Sequence, residues 1–325
     1  MNTQNNQQSI NASLDSLNQL SVKNSYSVDD INWSLKADPN KFWIPEHLVS
    51  ISHLPVYSEM SADLKLLFNQ HNALGVAELF IFFEETSLAP SMEKALLRAK
   101  TESLKLALKN FINEEYKHSE IFKKLLITSA PKLYSESVIK YHFVKIPFIS
   151  KVIFEVLRQF PILLPAWVWV ALFFEERTLL YSKEYIKHFK QPEKNIDELF
   201  YQAHYFHMLD EVRHVKLDEH MIENFYHTYG KHHARFVAWM SRRFIQRSAY
   251  PINMIKACLT QIKKTHPQLL SEQIEQRILI EAKQLPKTQS FVDLNFGENA
   301  APRTQHLMKQ FSEFNHFWQK ILTTK

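Results

Sequence analysis

The scarcity of glycine most restricts what this chain can fold into: it has three glycines among 325 residues, Gly75, Gly230 and Gly297. Tight turns, β-bulges and phosphate-binding loops need glycine because they use positive φ angles or a close backbone approach. The sequence contains neither a glycine-rich dinucleotide fingerprint nor a GxxxxGKS or GxxxxGKT loop, which excludes the common nucleotide-binding motifs. Apolar residues form 45% of the chain and recur at helical rather than alternating spacing. The chain is therefore predicted to be all-α.

Three segments are predicted from composition and periodicity. Residues 1–35 are polar and are expected to form a disordered tail, residues 36–245 a helical bundle, and residues 246–325 a basic helical extension packed on that bundle. Pro90 and Pro192 separate long periodic stretches and are expected to end helices. Long helices are predicted over residues 61–88, 91–129, 149–189, 193–229 and 232–247.

A single cysteine, Cys258, excludes an intramolecular disulfide, a cysteine-rich zinc site and a cysteine-ligated iron–sulfur cluster. Residues 1–24 lack the basic and apolar regions of a signal peptide, and the longest uncharged run, residues 159–174, is shorter than the ~20 residues of a membrane span. We therefore expect a cytoplasmic protein without a membrane span. The net charge of +5 comes from late basic residues without interleaved aromatics, so we expect a solvated face and no nucleic-acid partner.

A weak internal repeat is the most informative pattern in the sequence. Residues 82–86 read Phe-Phe-Glu-Glu-Thr, and residues 173–178 read Phe-Phe-Glu-Glu-Arg-Thr. Downstream of the first copy comes Glu-Glu-Tyr-Lys-His at 114–118, and downstream of the second comes Asp-Glu-Val-Arg-His at 210–214. One helical hairpin is therefore predicted to occur twice.

The spacing Glu-x-x-His places a carboxylate and an imidazole on one helix face, where both can bind one metal ion. It occurs as Glu115/His118 and as Glu211/His214 inside the repeated segments. A third match, at residues 313–316, lacks an upstream Phe-Phe-Glu-Glu and is expected to be accidental. Two such helices, with one glutamate from each of two others, form the di-iron or di-manganese site of ferritin-like bundles. The alternative is a pair of surface helices that carry ion pairs.

The upstream glutamates come in adjacent pairs, and the helical advance of 100° per residue indicates which member of each pair points inward. Glu84 and Glu175 lie at the centre of apolar faces, whereas Glu85 and Glu176 lie about 100° away. An unpaired carboxylate among phenylalanines would cost several kcal/mol, and a bound cation would offset that cost. Glu84 and Glu175 are therefore the predicted metal ligands, with Glu85 and Glu176 as the open alternative.

The last of these helices carries a third histidine on the ligand face. His207, Glu211 and His214 are spaced i, i+4 and i+7, so their side chains share one stripe. His204 and Asp218 extend this stripe and are its other polar members. His207 is favoured over His204 as a metal ligand because it is one turn from Glu211; the alternative is a core histidine bonded to a neighbour.

Glu114 and Asp210 each precede a predicted ligand glutamate and lie about 100° around the helix from it. This position suits them to accept the outer ring N–H of a histidine on the facing helix, as partners of metal-bound histidines do. The alternative is a solvated salt bridge. Four aromatic residues could line a pocket, although aromatics at helical spacing more often belong to the core: Tyr116, Trp169, Tyr201 and Tyr205.

Over residues 60–225 this pattern resembles the p-aminobenzoate N-oxygenase (arylamine N-oxygenase) family of ferritin-like non-haem di-iron enzymes. The resemblance implies a ferritin-like helical bundle with additional flanking helices and two iron ions, with manganese as an alternative. It also implies an O₂-activating oxygenase that oxidises an amine or another small organic substrate through a peroxo-di-iron intermediate. The seven implied metal ligands are Glu84, Glu115, His118, Glu175, His207, Glu211 and His214.

Other functions remain open at this stage. Asp-Glu-Val-Arg-His and Glu-Arg-Thr also resemble the soluble acyl-carrier desaturases, so a di-iron hydroxylase or desaturase acting on a carbon substrate is one alternative. A non-catalytic, ferritin-like metal-binding protein is another. The sequence has no flavin or iron–sulfur motif, so an oxygenase would need an external ferredoxin or reductase. The substrate and the oligomeric state, including a homodimer, are left open.

Overall fold

The computed structural model describes residues 2–135, 139–145, 159–314 and 317, and its regular elements are helices. No β-strand occurs within these ranges, where one isolated parallel bridge joins Phe42 to Ile196. The all-α prediction is confirmed. The α-helices are α1 (Asn2–Lys23), α2 (Ala62–Ile81), α3 (Ala89–Leu96), α4 (Glu102–Ser129), α5 (Leu164–Phe189), α6 (Glu198–Ser248), α7 (Ile252–Thr265), α8 (Glu272–Glu281), α9 (Gln289–Phe296) and α10 (Pro302–Gln310).

Capping residues set where the helices of the bundle begin. The side chains of Ser61 and Thr101 accept hydrogen bonds from the backbone N–H groups three residues later, at the starts of α2 and α4. Asp197 caps α6 in the same manner. Such caps satisfy N–H groups that have no partner within the helix. They fix the register in which α2, α4 and α6 present their inward faces.

The segment between α2 and α3 is π-helical over Phe82–Leu88. In this segment the N–H of Ala89 bonds to the carbonyl of Glu84, five residues back. Pro90, predicted to end a helix, instead lies in the first turn of α3, where a missing N–H costs little. The chain therefore stays helical through Leu96. Pro192 does fall between helices, after α5 and before α6, as predicted.

The helix α6 contains a kink at Gly230, whose φ of 74° is left-handed. The backbone is not helical at Gly230, so this glycine separates two helical segments of α6, in agreement with the division predicted between residues 193–229 and 232–247. Residues 149–158 of another predicted helix lie outside the described residues, and α5 accounts for the remainder of that helix.

The N-terminal segment is a correction to the predicted disordered tail, since Asn2–Lys23 is helical. Leu14 and Leu17, three residues apart, are buried on one face of α1. The amide of Asn18 donates to the carbonyl of Ser103 at 3.0 Å, which fixes α1 against α4. Ser13, Asp15, Ser16 and Gln19 lie on the exposed side of α1, and Leu14 and Leu17 on the side that docks.

The C-terminal helices pack against the bundle. Gly75 of α2 allows a close approach, since a Cβ there would lie 3.0 Å from Phe143 Cβ and 3.2 Å from Met254 Sδ. None of the described helices is both long and apolar enough to cross a bilayer. The division into a bundle and an extension at residue 245 stays a prediction.

Candidate metal centre

Two helices of the bundle bring the repeated Glu-x-x-His motifs together. Glu115 and His118 of α4 face Glu211 and His214 of α6, and all four side chains are buried. Nδ1 of His214 lies 2.8 Å from Oε1 of Glu115, and Nδ1 of His118 lies 3.3 Å from Oε1 of Glu211. Metal-ligating atoms of all four residues lie within 4.8 Å of one another.

A second group overlaps the first and includes the third histidine. Glu84, His118 and His207 also have potential ligand atoms within 4.8 Å of one another. Nε2 of His207 lies 3.0 Å from Oε1 of Glu84 and 3.1 Å from Oε1 of Glu211. His207 is fully buried. Its placement agrees with the predicted stripe on α6.

Glu175 of α5 completes the set, with its Oε2 at 3.9 Å from Nδ1 of His214. All seven side chains predicted to bind metal are therefore gathered into one buried cluster, which we call the seven-residue cluster. Oε1 of Glu211 is its centre, because nitrogen atoms of three histidines lie 3.1–3.5 Å from that oxygen. The role of these residues as metal ligands stays a prediction.

The neighbouring glutamates point elsewhere. Glu85 is only partly buried and pairs with Lys123 at 2.7 Å. Glu176 is buried, but its two oxygens accept the backbone N–H groups of Arg303 and Thr304, each at 2.7 Å, in the first turn of α10. The helical-wheel argument placed Glu84 inward without foreseeing the π-helical turn that carries it. Such turns are frequent at functional sites.

The other polar residues of the α6 stripe lie beyond the cluster. His204 is buried and its ring stacks on Tyr185 with a centroid distance of 4.0 Å. Burial lowers the pKa of His204 to about 3, so its imidazole is neutral. Asp218 is fully buried, and neither carboxyl oxygen has a hydrogen-bond partner among the described residues. Neither residue belongs to the groups of ligand atoms described above.

Two carboxylates orient the outer nitrogens of the cluster histidines. Oε2 of Glu114 lies 2.9 Å from Nε2 of His214, and Oδ2 of Asp210 lies 3.1 Å from Nε2 of His118. A carboxylate can only accept, so each imidazole donates from Nε2 and turns Nδ1 toward the cluster. The predicted roles of Glu114 and Asp210 as hydrogen-bond acceptors are confirmed.

Sequence reasoning missed the cations that hold these two carboxylates. The guanidinium of Arg213 donates to Glu114 at 2.7 Å and also to Asp210. Lys117 pairs with Asp210 at 2.7 Å, and Ser21 of α1 donates to Glu114 at 2.6 Å. Arg213 and Lys117 lie inside the two repeated motifs, so their spacing was visible, but their partners come from different helices.

Burial and the closeness of several carboxylates shift the pKa values of the acidic residues in and around the cluster. Burial, reinforced by the charges of Glu115 and Glu211, raises the pKa of Glu84 well above its ordinary value. Burial also raises the pKa of Glu115 to about 7, although His214 acts against it. Burial would raise the pKa of Asp210 too, but hydrogen bonds from His118 and Lys117 outweigh it and hold that pKa far below normal.

The donor atoms of the cluster fit divalent metal ions. Oε2 of Glu84, both oxygens of Glu115 and Nδ1 of His118 and His214 are buried without a partner in hydrogen-bond geometry among the described residues, although Nδ1 of His214 lies 2.8 Å from Oε1 of Glu115. Such atoms are costly unless something else satisfies them. Carboxylate oxygens together with imidazole nitrogens are ligands suited to iron and manganese, and positive ions would also relieve the repulsion among the four carboxylates.

A largely apolar cavity of about 440 Å³ lies beside the cluster. Phe83 and Phe174, which immediately precede Glu84 and Glu175, line it, and their ring centroids are 5.1 Å apart. Thr178 also lines it, and its hydroxyl lies 3.0 Å from Oε2 of Glu211. The repeat contributes matching positions to this wall, each pair 91 residues apart: Val76 and Trp167, Leu79 and Val170, Phe83 and Phe174.

The aromatic residues singled out from the sequence lie elsewhere. Tyr116 is exposed and donates to Glu93 at 2.9 Å. Trp169 packs against Phe314, and Tyr201 and Tyr205 pack against other aromatics of α5 and α6. No sequence pattern predicted the cavity, because its wall is assembled from several helices.

Two other sets of histidine and glutamate residues lie away from the cluster. His47, Glu184 and His188 gather nearer the surface, where Glu184 pairs with His47 at 3.1 Å. Glu313, from the match expected to be accidental, accepts a hydrogen bond from Tyr226 at 3.2 Å. Its partner His316 lies outside the described residues.

Comparison with known proteins agrees with this geometry. The family model described as p-aminobenzoate N-oxygenase AurF matches residues 7–266. The match begins within α1 and ends at the residue after α7, so it includes most of the N-terminal helix and all seven cluster residues. No curated protein matches the sequence. On the extent of this match, the chain belongs to the p-aminobenzoate N-oxygenase family.

Proposed function

We propose that the protein is an O₂-dependent oxygenase that binds two iron ions in the seven-residue cluster and oxidises the nitrogen of an aryl amine. The observation that carries the proposal is the cluster itself, with four carboxylates and three imidazoles buried beside an apolar cavity. The matching family is named for N-oxygenation of p-aminobenzoate, which supports an amine as the substrate.

The protein residues have distinct tasks in this proposal. Iron ions held by the cluster would supply O₂ binding and redox chemistry. Asp210 and Glu114 keep His118 and His214 turned so that Nδ1 faces inward. The guanidinium of Arg213 contacts both carboxylates and offsets part of their negative charge. The substrate would occupy the cavity and contact Phe83 and Phe174 in its wall.

The oxidation needs electrons from outside the chain. Conversion of an amine to a hydroxylamine places one oxygen atom of O₂ in the new N–O bond and releases the other as water. This step consumes two electrons and two protons. The chain has one cysteine and no flavin-binding motif, so we propose that a ferredoxin or a reductase supplies the electrons. A cytoplasmic location is part of the same proposal, because such donors act there in a reducing environment.

The third histidine favours an N-oxygenase over the alternatives. The desaturase-like set lacks a counterpart of His207, whereas here Nε2 of His207 lies within 3.1 Å of both Glu84 and Glu211. A storage protein would have no need of an apolar cavity beside the cluster. Oxidation of a carbon substrate stays the second candidate, because the cavity is apolar enough to hold an acyl chain.

The test is a single-turnover experiment on the full-length protein. Iron content is measured first, and two irons per chain are expected. The reduced protein is then mixed with O₂ and either 4-aminobenzoate or a fatty acyl thioester, and the products are analysed. Oxidation of the amine nitrogen is the expected result.

Other results would contradict the proposal in different ways. Many irons per chain would indicate iron storage. An absence of bound iron would contradict the proposal that the protein is a di-iron oxygenase. Two irons with oxidation of the acyl substrate alone would favour a hydroxylase or desaturase. Glu85→Gln is the matched control, because Glu85 pairs with Lys123 outside the cluster.

A further inference from the structure

A group of three potential metal ligands lies apart from the seven-residue cluster, where a short 3₁₀ helix meets the end of α5. His47 belongs to the 3₁₀ helix Glu46–Leu48, and Glu184 and His188 belong to the last two turns of α5. Each of the three side chains offers one ligand atom, and these atoms lie within 4.8 Å of one another. None of the three residues belongs to the cluster, and the proposed oxygenase chemistry does not use them.

The spacing of these side chains suits a small four-coordinate ion. Nε2 of His47 lies 3.1 Å from Oε2 of Glu184, and the rings of His47 and His188 lie side by side with a centroid distance of 4.9 Å. Two ligand atoms at about 2.0–2.1 Å from a tetrahedral Zn²⁺ are about 3.3 Å apart. Glu184 and His188 are spaced i and i+4, so they project from one face of α5, and His47 approaches that face from a distant part of the sequence.

The ring of His188 is already oriented by the backbone. Its Nδ1 lies 2.8 Å from the carbonyl oxygen of Glu184. A carbonyl oxygen only accepts, so Nδ1 carries the ring proton and Nε2 keeps the lone pair that a metal ion requires. Metal-binding histidines commonly have their second nitrogen bonded in this way.

Other contacts hold the two segments in place without any ion. The hydroxyl of Tyr185 donates to the carbonyl of Trp43 at 2.7 Å, and both residues are buried. Nε2 of His53 lies 3.0 Å from the carbonyl oxygen of His47. The backbone is therefore fixed on both sides of the three ligands, and an ion that binds there does not have to order the chain first.

The surroundings of the three side chains favour a cation. They lie at the C-terminal end of α5, where the helix dipole is negative, and Glu184 adds a carboxylate. Lys187 also contacts Oε2 of Glu184, but at 3.5 Å and with a side chain that is 62% exposed, so an arriving ion can displace it into solvent. The side chain of His47 is 40% exposed, which leaves room for an ion to enter and for water to bind it.

We propose that His47, Glu184 and His188 form a second metal site, which binds one Zn²⁺ with water in the remaining coordination position. Two imidazoles with a single carboxylate suit zinc, whereas oxygen-rich sites suit harder ions. The ion joins the end of α5 to the segment in which Leu48 and Ser50 line the cavity. Its role is to stabilise that part of the cavity wall, and its binding does not depend on the function proposed for the cluster.

The test counts zinc ions in the full-length, iron-loaded protein. Zn²⁺ binding is measured by calorimetry under anaerobic conditions, and zinc and iron contents are measured by elemental analysis after gel filtration. The wild type should hold one zinc per chain more than His47→Ala, with equal iron in both proteins. Loss of this ligand should weaken zinc binding at the site by about 100-fold or more. Zn²⁺ should also raise the Tm of the wild type but not that of His47→Ala.

Three further variants keep the result interpretable. Glu184→Gln removes the negative charge of the site and should lose the same zinc, so it carries the test if His47→Ala fails to fold. Lys187→Gln is the matched control, because Lys187 contacts the same carboxylate without being a ligand. His232→Ala removes an exposed histidine of α6 outside the group. Both control variants should keep the extra zinc.

Equal zinc contents in the wild type, His47→Ala and Glu184→Gln would overturn the inference and leave the group as an ion pair between His47 and Glu184. Zinc that displaces iron to the same extent in all three proteins would also overturn it, because that zinc enters the cluster. Failure of the proposed function has a different signature. In that case the cluster would lack iron or the amine would not be oxidised, but the difference of one zinc between the wild type and His47→Ala would remain.

Discussion

Adjacent glutamates of α5 contact different parts of the molecule: Glu175 lies beside His214, and Glu176 accepts two backbone N–H groups at the start of α10. Glu84 and Glu85 divide in the same way, between the cluster and Lys123. One residue of offset turns a side chain by about 100° on a helix. The chemical role of each carboxylate is therefore set by its direction.

Glu84→Gln and Glu85→Gln form a matched pair of substitutions. Glu84→Gln removes a negative charge from the cluster and should lower metal affinity by more than the roughly 10–100-fold that loss of an outer partner costs. Glu85→Gln weakens only a partly exposed ion pair outside the cluster and should leave metal content unchanged. Elemental analysis after dialysis measures both, and equal metal loss in the two variants would show that the face assignment is wrong.

His207→Ala and His204→Ala separate a cluster residue from its neighbour on the stripe. His207→Ala removes one nitrogen donor near Glu84 and Glu211, so we expect the variant to fold and retain at least one iron per chain but lose oxygenase activity. His204→Ala removes a ring stacked on Tyr185 and should retain both irons, with lower thermal stability. Retained oxygenase activity in His207→Ala would show that the third histidine is not needed for the reaction.

At the scale of elements, a buried glutamate fastens an irregular segment to α2. Oε1 of Glu78 accepts from the hydroxyl of Tyr134 at 2.8 Å and from the N–H of His142 at 2.6 Å. Oε2 accepts the N–H groups of Phe143 and Val144, both at 2.8 Å. Phe143 and Val144 line the cavity. The Glu78 side chain thus holds in place a non-helical segment that forms part of the cavity wall.

Glu78→Ala should therefore destabilise the protein and disturb the cavity together. It leaves three backbone N–H groups and a tyrosine hydroxyl without their acceptor, and we expect a loss of about 3 kcal/mol or more in the free energy of unfolding. Urea denaturation checks the stability, and titration with 4-aminobenzoate checks the cavity. A loss below about 1 kcal/mol would mean that water replaces the carboxylate easily.

The sequence predicted the functional residues whose spacing lies within one helix. It did not predict the contacts and the cavity that form between helices. The repeat and the helical period identified Glu84, Glu175, His207 and the outer carboxylates Glu114 and Asp210, because these depend on spacing within one helix. Thr178 could not be recognised as a cavity residue, since α2 and the segment carrying Phe143 complete that wall. The docking of α1 was missed for the same reason. Its two buried leucines could be recognised as a contact surface only once α4 was known to pack against them.

At the scale of the whole molecule, buried histidines make stability depend on pH. Burial lowers the pKa of His71 to about 4, helped by the charge of His266, whereas an unfolded chain has a histidine pKa near ~6.5. Between these values the unfolded state binds the extra proton, so this contribution to stability is present above pH 6.5 and is lost as the pH falls toward 4.

His71→Phe should therefore lose less stability on acidification than the wild type does. Between pH 7.5 and 5 the wild-type free energy of unfolding should fall by about 2 kcal/mol more than that of the variant. Urea denaturation of both proteins at the two pH values, without added metal, gives this difference. An identical fall in the two proteins would assign the acid sensitivity to other groups.

The repeat is imperfect at one place, and the two halves of the cluster are therefore unequal. The offset of 96 residues that relates His118 to His214 also relates Phe111 to His207, so one half of the molecule supplies an imidazole where the other supplies a phenyl ring. If the cluster binds two metal ions as proposed, the two positions would differ in their donor atoms and should fill one after the other. A titration with Mn²⁺ should show two separate binding steps in the wild type. The affinities of the two steps should become more similar in Phe111→His and should stay different in the control variant Phe111→Leu.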